Sequence, residues 1–117
     1  MVNQGLAGLE RLVSGIEGPR TRRLLGNLAF VLQFRPSNGA TPFYLSVASG
    51  KAESAQGEHG SPTATLTGLE DALLRVIDGD IDVTHLLARG NVKSSGDYYH
   101  VIDLSRLALA VQQSRPR

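Results

Sequence analysis

The chain has 117 residues, 41% of them hydrophobic and 20% charged, which is typical of one globular domain with a single core. A formal net charge of +1 gives no long-range attraction to nucleic acid, and the absence of cysteine excludes disulfides, thiolate nucleophiles and thiolate metal ligands. The apolar runs are too short for a transmembrane segment, and the N-terminal residues lack the pattern of a secretory signal. We therefore expect a cytoplasmic protein with no nucleic-acid partner.

The first predicted element is a helix that Asn3 can cap. Its apolar residues recur at spacings of three and four, which places them on one face: Leu6, Leu9, Val13 and Ile16. Gly18-Pro19 interrupts this pattern, and a basic cluster, Arg20-Thr-Arg22-Arg23, follows. The balanced net charge favours a solvated helix face for this cluster over a patch that touches lipid headgroups.

The next segment predicts a hairpin of two strands. Large apolar side chains alternate along the first strand and therefore share one face: Leu28, Phe30, Leu32 and Phe34. Such a face needs an apolar partner, which could be helices or a ligand cavity. The turn residues Pro36 to Gly39 lead to a second strand from Phe43 to Ser49. Residues Lys51 to Pro62 are polar and rich in Gly, Ser and Glu, which predicts a mobile loop.

Residues 63–79 read as a strand followed by a helix. The segment Thr63 to Thr67 alternates polar and apolar residues, as a half-buried strand does. Thr67 and Glu70 form a T-x-x-E pattern, which predicts a capping box for a helix from Gly68 to Asp78. Gly79 is then expected to end that helix.

The remainder of the chain predicts a short helix, a strand and a last helix. Asp82 is placed to cap the short helix and Gly90 to end it, after which residues 91–94 can form a strand. Gly96-Asp97 then turns the chain into a helix with one apolar stripe, made of Val101, Leu104, Ala108 and Val111.

The acidic run from residue 78 to residue 82 imitates the start of a calcium loop, with Asp78, Asp80 and Asp82 at alternate positions. The pattern then fails, because Val83 stands where glycine is required and Arg89 stands where the bidentate glutamate should be. Helix capping explains these residues better. The three histidines are too far apart in sequence to form a ligand pair on one helix, so we predict no metal site.

Weak candidates for acid–base catalysis lie near the start of the last helix, namely His100, Tyr98 and Asp103. Tyr98 and Tyr99 are adjacent, and we expect one of them to pack inward, where its hydroxyl could orient the polar end of a ligand.

The order and spacing of several segments resemble the sterol carrier protein type 2 domain, the small module of lipid-transfer proteins. They are Ala64-Thr-Leu-Thr67, Leu73 to Gly79, Gly90-Asn-Val-Lys93 and Gly96-Asp97, and with the upstream hairpin the resemblance extends from about Leu9 to Val111. The resemblance implies one domain over residues 1–117 with an α+β fold. Its sheet would have about five mainly antiparallel strands, with helices on one face and an apolar cavity between the two layers.

The resemblance also implies a carrier that binds a lipid or other hydrophobic small molecule without covalent chemistry and without a cofactor. Apolar residues of the first strand and of the helices would line the cavity, although a filled core would use the same ones: Phe30, Leu32, Phe34, Leu73, Val76, Ile77, Leu86, Leu87, Val101, Leu104, Ala108 and Val111.

An alternative is a small enzyme or accessory factor that acts on a hydrophobic biosynthetic intermediate of the quinone, polyketide or terpenoid type. The balance of these features favours a protein without catalytic activity. Sterol, fatty acyl and quinone-like ligands remain open, as do transient contact with a membrane surface, a homodimer and a protein partner.

Overall fold

A computed structural model of the protein describes residues 4–16, 23, 26, 28–37, 39–48 and 50–114. These residues form four helices and five strands, in the order α1 (Gln4–Ser14), β1 (Phe30–Pro36), β2 (Phe43–Ala48), β3 (Lys51–Gln56), β4 (Ala64–Gly68), α2 (Glu70–Ile77), α3 (Val83–Arg89), β5 (Val92–Gly96) and α4 (Tyr98–Ser114). The predicted Asn3 cap, the Gly18-Pro19 interruption and most of the basic cluster lie outside the described residues. Arg23 alone of that cluster is described, and it is exposed.

The five strands form one sheet in the order β3-β2-β1-β4-β5. The central pair, β1 and β4, is parallel, whereas the other three pairs are antiparallel. The predicted α+β fold with a mainly antiparallel five-stranded sheet is therefore confirmed. The parallel pair places the first strand of the chain beside the fourth.

One face of the sheet carries the apolar residues that were expected there. Phe34 lies opposite Phe43 of β2 on one side and opposite Leu66 of β4 on the other, so a row of large side chains crosses the three central strands. The rings of Phe34 and Phe43 stack with their centroids 5.0 Å apart. Helices α1, α2 and α4 cover this face, and the buried side chains of sheet and helices form a single core.

The opposite face of the sheet holds a buried polar residue, Gln33. Its side-chain amide donates hydrogen bonds to the carbonyls of Phe43 and Gly57, at 3.1 and 3.0 Å. Its side-chain oxygen accepts a hydrogen bond of 2.8 Å from the backbone N–H of His59. These bonds hold the segment that follows β3 against the sheet, so Gln33 satisfies polar groups that would otherwise be unpaired.

The prediction of a mobile loop from Lys51 to Pro62 is wrong for its first half. Residues 51–56 form the edge strand β3, which pairs along its whole length with β2. Four of its six side chains are polar. An edge strand is held by backbone hydrogen bonds and is often charged, which discourages pairing with other chains. Hydrophobic alternation, the signal that identifies a half-buried strand, is absent there.

The predicted capping box is also wrong. Thr67 and Gly68 belong to β4, where they pair with Lys93 and Val92 of β5, so Thr67 is part of the sheet rather than a cap. The helix α2 begins at Glu70, and the residue before it, Leu69, makes no side-chain capping bond. Sheet pairing has overridden the local capping signal.

The predicted boundaries of α3 and the predicted start of α4 are confirmed. The Asp82 carboxylate accepts a hydrogen bond from the backbone N–H of Thr84 and caps α3, and Gly90 ends that helix in the left-handed conformation. At the start of α4, the Asp97 carboxylate accepts a hydrogen bond of 3.0 Å from the backbone N–H of Tyr99.

Gly79 follows α2 at a point where the chain passes very close to α4. Its φ is +74°, and a Cβ at this position would lie 2.6 Å from the carbonyl oxygen of Ala108 and 2.9 Å from its carbonyl carbon. Both the conformation and the close backbone approach therefore require glycine.

We expect Gly79→Ala to destabilise the fold more than Gly90→Ala. Gly90 has a similar φ of +77°, but a Cβ there would meet nothing within 4 Å. Gly90→Ala should therefore lose only the energy of placing alanine in the left-handed conformation, about 1–2 kcal/mol. Gly79→Ala should lose more, because its Cβ would also displace α4. Urea unfolding of the two variants measures the difference. Equal losses of stability in the two variants would show that the packing of α4 does not depend on the close backbone approach at Gly79.

Candidate ligand-binding site

The candidate site is the apolar layer between the sheet and its helices. Helix α4 contributes the predicted stripe, and all four of its residues are at most 1% exposed: Val101, Leu104, Ala108 and Val111. The predicted residues of β1 and α2, and Leu86 of α3, are also buried, while Leu87 is half-buried against the same cluster. The structure therefore brings together the residues that the sequence predicts, and their contact with a ligand stays a prediction.

The same layer contains residues that the sequence-based lining omits. Strand β2 contributes Leu45 and Val47, β4 contributes Leu66, and α1 contributes Leu9 and Leu12. The sequence does contain the signal that would have assigned β2 to this layer, because the apolar residues of this strand alternate with Tyr44 and Ser46. The contribution of α1 depends on how this helix crosses the sheet, which helical periodicity does not determine.

The predicted lining residues are packed and almost inaccessible to solvent. Leu32, Phe34, Leu73 and Leu104 all have an exposure of 0%. A ligand that enters this layer must therefore take the place of contacts between the sheet and a helix. The expected cavity stays a prediction.

The layer contains very little polarity. Among the described residues, only Gln33 and Ser105 are buried polar residues, and neither is ionisable. Gln33 lies on the far face of the sheet, and the Ser105 hydroxyl accepts a hydrogen bond of 3.2 Å from the backbone N–H of Val83. Within the described part of the chain, the buried residues therefore include no ionisable side chain.

Ionisable groups do gather at the margin of the layer, around His100. The imidazole stacks on the ring of Phe30, with centroids 5.1 Å apart and an angle of 16° between the planes. Its Nε2 lies 3.4 Å from an Asp97 oxygen, and its Nδ1 lies 3.5 Å from an Asp103 oxygen. The contact with Asp103 is close enough for an ion pair, but Nδ1 makes no hydrogen bond and is buried.

Of the three weak candidates for acid–base catalysis, His100 and Asp103 are in contact, whereas Tyr98 is not part of this cluster. Tyr98 is 45% exposed and Tyr99 is 79% exposed, so the expectation of an inward tyrosine is wrong. The buried stripe of α4 begins only at Val101, one turn after the tyrosines. No hydroxyl is hydrogen-bonded to the His100 ring within the described part of the chain, so a nucleophilic triad is not formed there.

The acidic residues between α2 and α3 have separate structural partners. Asp78 lies 3.6 Å from the Arg11 guanidinium, and Asp80 accepts a hydrogen bond of 2.7 Å from Gln112. The backbone N–H and hydroxyl of Thr84 both donate to Asp82, which lowers the pKa of this carboxyl below its usual value. Across the described residues, no group of three or more His, Cys, Asp or Glu side chains could hold a metal ion.

Comparison with known proteins identifies the family to which this fold belongs. A profile of the SCP-2 sterol transfer family matches residues 9–108. The chain belongs to this family. A comparison with curated protein sequences gives no match.

Three solved structures illustrate the fold. The first is titled UbiJ-SCP2 ubiquinone synthesis protein, with 19% identity, a TM-score of 0.76, and coverage of 94% of this chain and 93% of that one. Sterol carrier protein domain 2 of Helicoverpa armigera has 18% identity and a TM-score of 0.69, with coverage of 93% and 88%. A sec-alkylsulfatase of Pseudomonas sp., Pisa1, has 17% identity and a TM-score of 0.64, with coverage of 74% of this chain but 14% of that one.

These similarities confirm the resemblance to the sterol carrier protein type 2 domain and its fold. They also show that this fold occurs both as a small protein and as part of a much larger enzyme. No helix among the described residues is long and apolar enough to cross a membrane.

We expect Phe30→Ala to cost about 3–5 kcal/mol in the free energy of unfolding, because a buried aromatic side chain and its stacking on His100 are lost. Phe30 is 3% exposed. Tyr99→Ala serves as the control, since this side chain is 79% exposed and should change stability by less than about 0.5 kcal/mol. Denaturant titration measures both. Equal effects of the two variants would contradict the packing of Phe30 at this margin.

Proposed function

We propose that the protein binds and carries a lipid or another hydrophobic small molecule between its sheet and α4, without covalent chemistry. The observation that carries this proposal is the polarity of the interior. Buried, paired ionisable groups are the feature expected of a catalytic site. The described interior has none, and its ionisable groups are at the margin.

Binding would be driven by the transfer of apolar ligand surface out of water, worth about 25 cal/mol per Å². The ligand would replace contacts that the helices make with the sheet, so part of this gain would offset the loss of those contacts. This requirement favours long or polycyclic apolar molecules over small ones, because only a large apolar surface gives a net gain. Sterol, fatty acyl and quinone-like molecules all meet it.

The element that moves in this proposal is α4. Its buried stripe covers the apolar layer, and the short turn at Gly96 and Asp97, where Gly96 has a φ of +86°, joins it to β5. Movement of α4 about this turn would open the layer, because a few residues at the end of an element can absorb the change in backbone angles of a hinge. The imidazole of His100, which stacks on Phe30 at the start of β1, would then lie beside the opening and could orient the polar end of the ligand.

A second candidate function is that of an accessory factor that presents a hydrophobic biosynthetic intermediate to an enzyme. Two observations favour it: the His100 cluster at the margin, and the similarity to a structure titled as a ubiquinone synthesis protein. A quinone-like ligand would place its apolar tail in the interior and its ring hydroxyl or carbonyl near His100. The chemistry itself would then belong to the partner enzyme.

Displacement of a fluorescent fatty acid or sterol analogue tests the proposal. Ala64 is buried on the helix-facing side of β4, in register with Leu32, so Ala64→Leu fills the interior. We expect this variant to weaken binding by at least about tenfold. The control is Ala48→Leu at the exposed end of β2, which should bind as the wild type does.

Overpacking costs about 1–3 kcal/mol, so the fold of Ala64→Leu must be verified by its NMR spectrum before the titration. Binding of equal strength by both variants would place the ligand outside this layer. Absence of saturable binding by the wild type up to about 1 mM, the weak end of the affinity scale, would refute the carrier function.

A further inference from the structure

The outer side of α4 borders a groove that the proposed interior site does not use. The groove lies between α4 and the segment that leads into α3, and its volume is about 300 Å³. Its lining combines apolar and polar side chains, namely Ile81, Asp82, Thr84, Ile102, Ser105, Arg106 and Leu109. These α4 residues differ from Val101, Leu104 and Ala108, which are buried toward the sheet.

Three apolar side chains form the floor of this groove. Ile102 and Leu109 are seven residues apart, which is about two helical turns and places them on the same side of α4. Ile81 meets them from the segment before α3. Leu109 is 46% exposed, and Ile81 and Ile102 pack against the core but are only half-buried, so part of the apolar surface of all three is open to the groove.

The polar side chains of the groove differ in how well they are paired. The Ser105 hydroxyl accepts from the backbone of α3, and the Asp82 carboxylate accepts from both the backbone and the hydroxyl of Thr84. Arg106 is exposed, and its guanidinium forms no ion pair with any described residue. Arg106 is therefore the one charged group in the groove lining that is free to bind a ligand.

We propose that this groove is a second binding site, for a single-chain amphiphile with a carboxylate head. The alkyl chain would lie over Ile81, Ile102 and Leu109, and the carboxylate would bind the Arg106 guanidinium, whose planar fork matches two carboxylate oxygens. The negative charge of Asp82 on the opposite wall directs the head toward Arg106. The volume is at the lower end of the range for small-molecule sites, about 300–1,000 Å³, and fits one short chain.

This inference goes beyond the carrier function, because the groove is open, lies outside the sheet–helix layer and selects its ligand by charge. Among the described residues, the interior has no charged side chain that could discriminate between an acid, an alcohol and an amine of the same chain length. The groove has two, Arg106 and Asp82. The two sites can therefore be distinguished with probes that differ only in the head group.

The experiment is an NMR titration of the full chain, labelled with nitrogen-15, with dodecanoate below its micelle concentration. We expect saturable shifts at Ile81, Ile102 and Leu109, and weaker binding of dodecanol and dodecyltrimethylammonium at the same residues. Arg106→Gln should weaken dodecanoate binding in the groove at least about tenfold and leave dodecanol binding unchanged. The matched control is Arg75→Gln, an exposed arginine on α2, which should change neither.

Four results would overturn the groove site. Shifts confined to interior residues such as Leu32 and Leu66 would support the carrier function alone. Equal binding of the cationic amphiphile in the groove would refute the role of Arg106. Binding to vesicles of anionic phospholipid without binding of monomeric dodecanoate would identify the groove as a membrane-contact surface. No shift at any residue would refute the groove site and count against the interior site as well.

Discussion

The structure depends on the need to cover one apolar face of the sheet. Phe43, Phe34 and Leu66 lie side by side across three neighbouring strands, and each is fully buried. A sheet with such a face is stable only when another layer removes it from water. Helices α1, α2 and α4 provide that layer. The glycine at position 79 is required because α4 packs so tightly against the turn that follows α2.

The covering layer also explains the distribution of polar groups. Burial of an ionisable side chain without a partner is costly, and ionisable groups gather where the layer ends, as in the cluster of His100, Asp97 and Asp103. An apolar interior of this kind is the environment that the proposed hydrophobic ligand would require, and membership of the SCP-2 sterol transfer family supports that proposal. The groove beside Arg106 would add a separate site that selects by charge.

The sequence predicted those parts of the fold that depend on hydrophobic periodicity and on local capping. The strand at Phe30 to Phe34, the stripe of α4 and the cap at Asp82 belong to this group, because each signal lies within one element. Strand β3 was missed because an edge strand is held by backbone hydrogen bonds to β2, which the identity of its side chains does not reveal. Thr67 was misassigned because its pairing with Lys93 joins distant parts of the chain.

Predictions about the site were also limited to signals that lie within one element. The sequence identified the buried apolar residues of β1, α2 and α4, but packing alone decides which surfaces are closed, and the role of these residues in lining a ligand site stays a prediction. The inward tyrosine was wrong because the buried stripe of α4 starts after Tyr98, at a point set by the docking of the helix. The groove was not foreseen, because Ile81 and Leu109 are far apart in sequence and line the same groove only in the folded chain. Arg106 carries no signal in the sequence that distinguishes it from other exposed arginines.

The most direct test of the central claim is to locate a bound hydrophobic molecule by intermolecular nuclear Overhauser effects. The protein would carry labelled Ile, Leu and Val methyl groups, and the probe would be unlabelled dodecanol, which has no charge for Arg106 to select. We expect contacts between the alkyl chain and the methyl groups of Leu32, Leu66 and Leu104 inside the sheet–helix layer. Saturable binding with contacts only to outer methyl groups, such as those of Leu109, would contradict it.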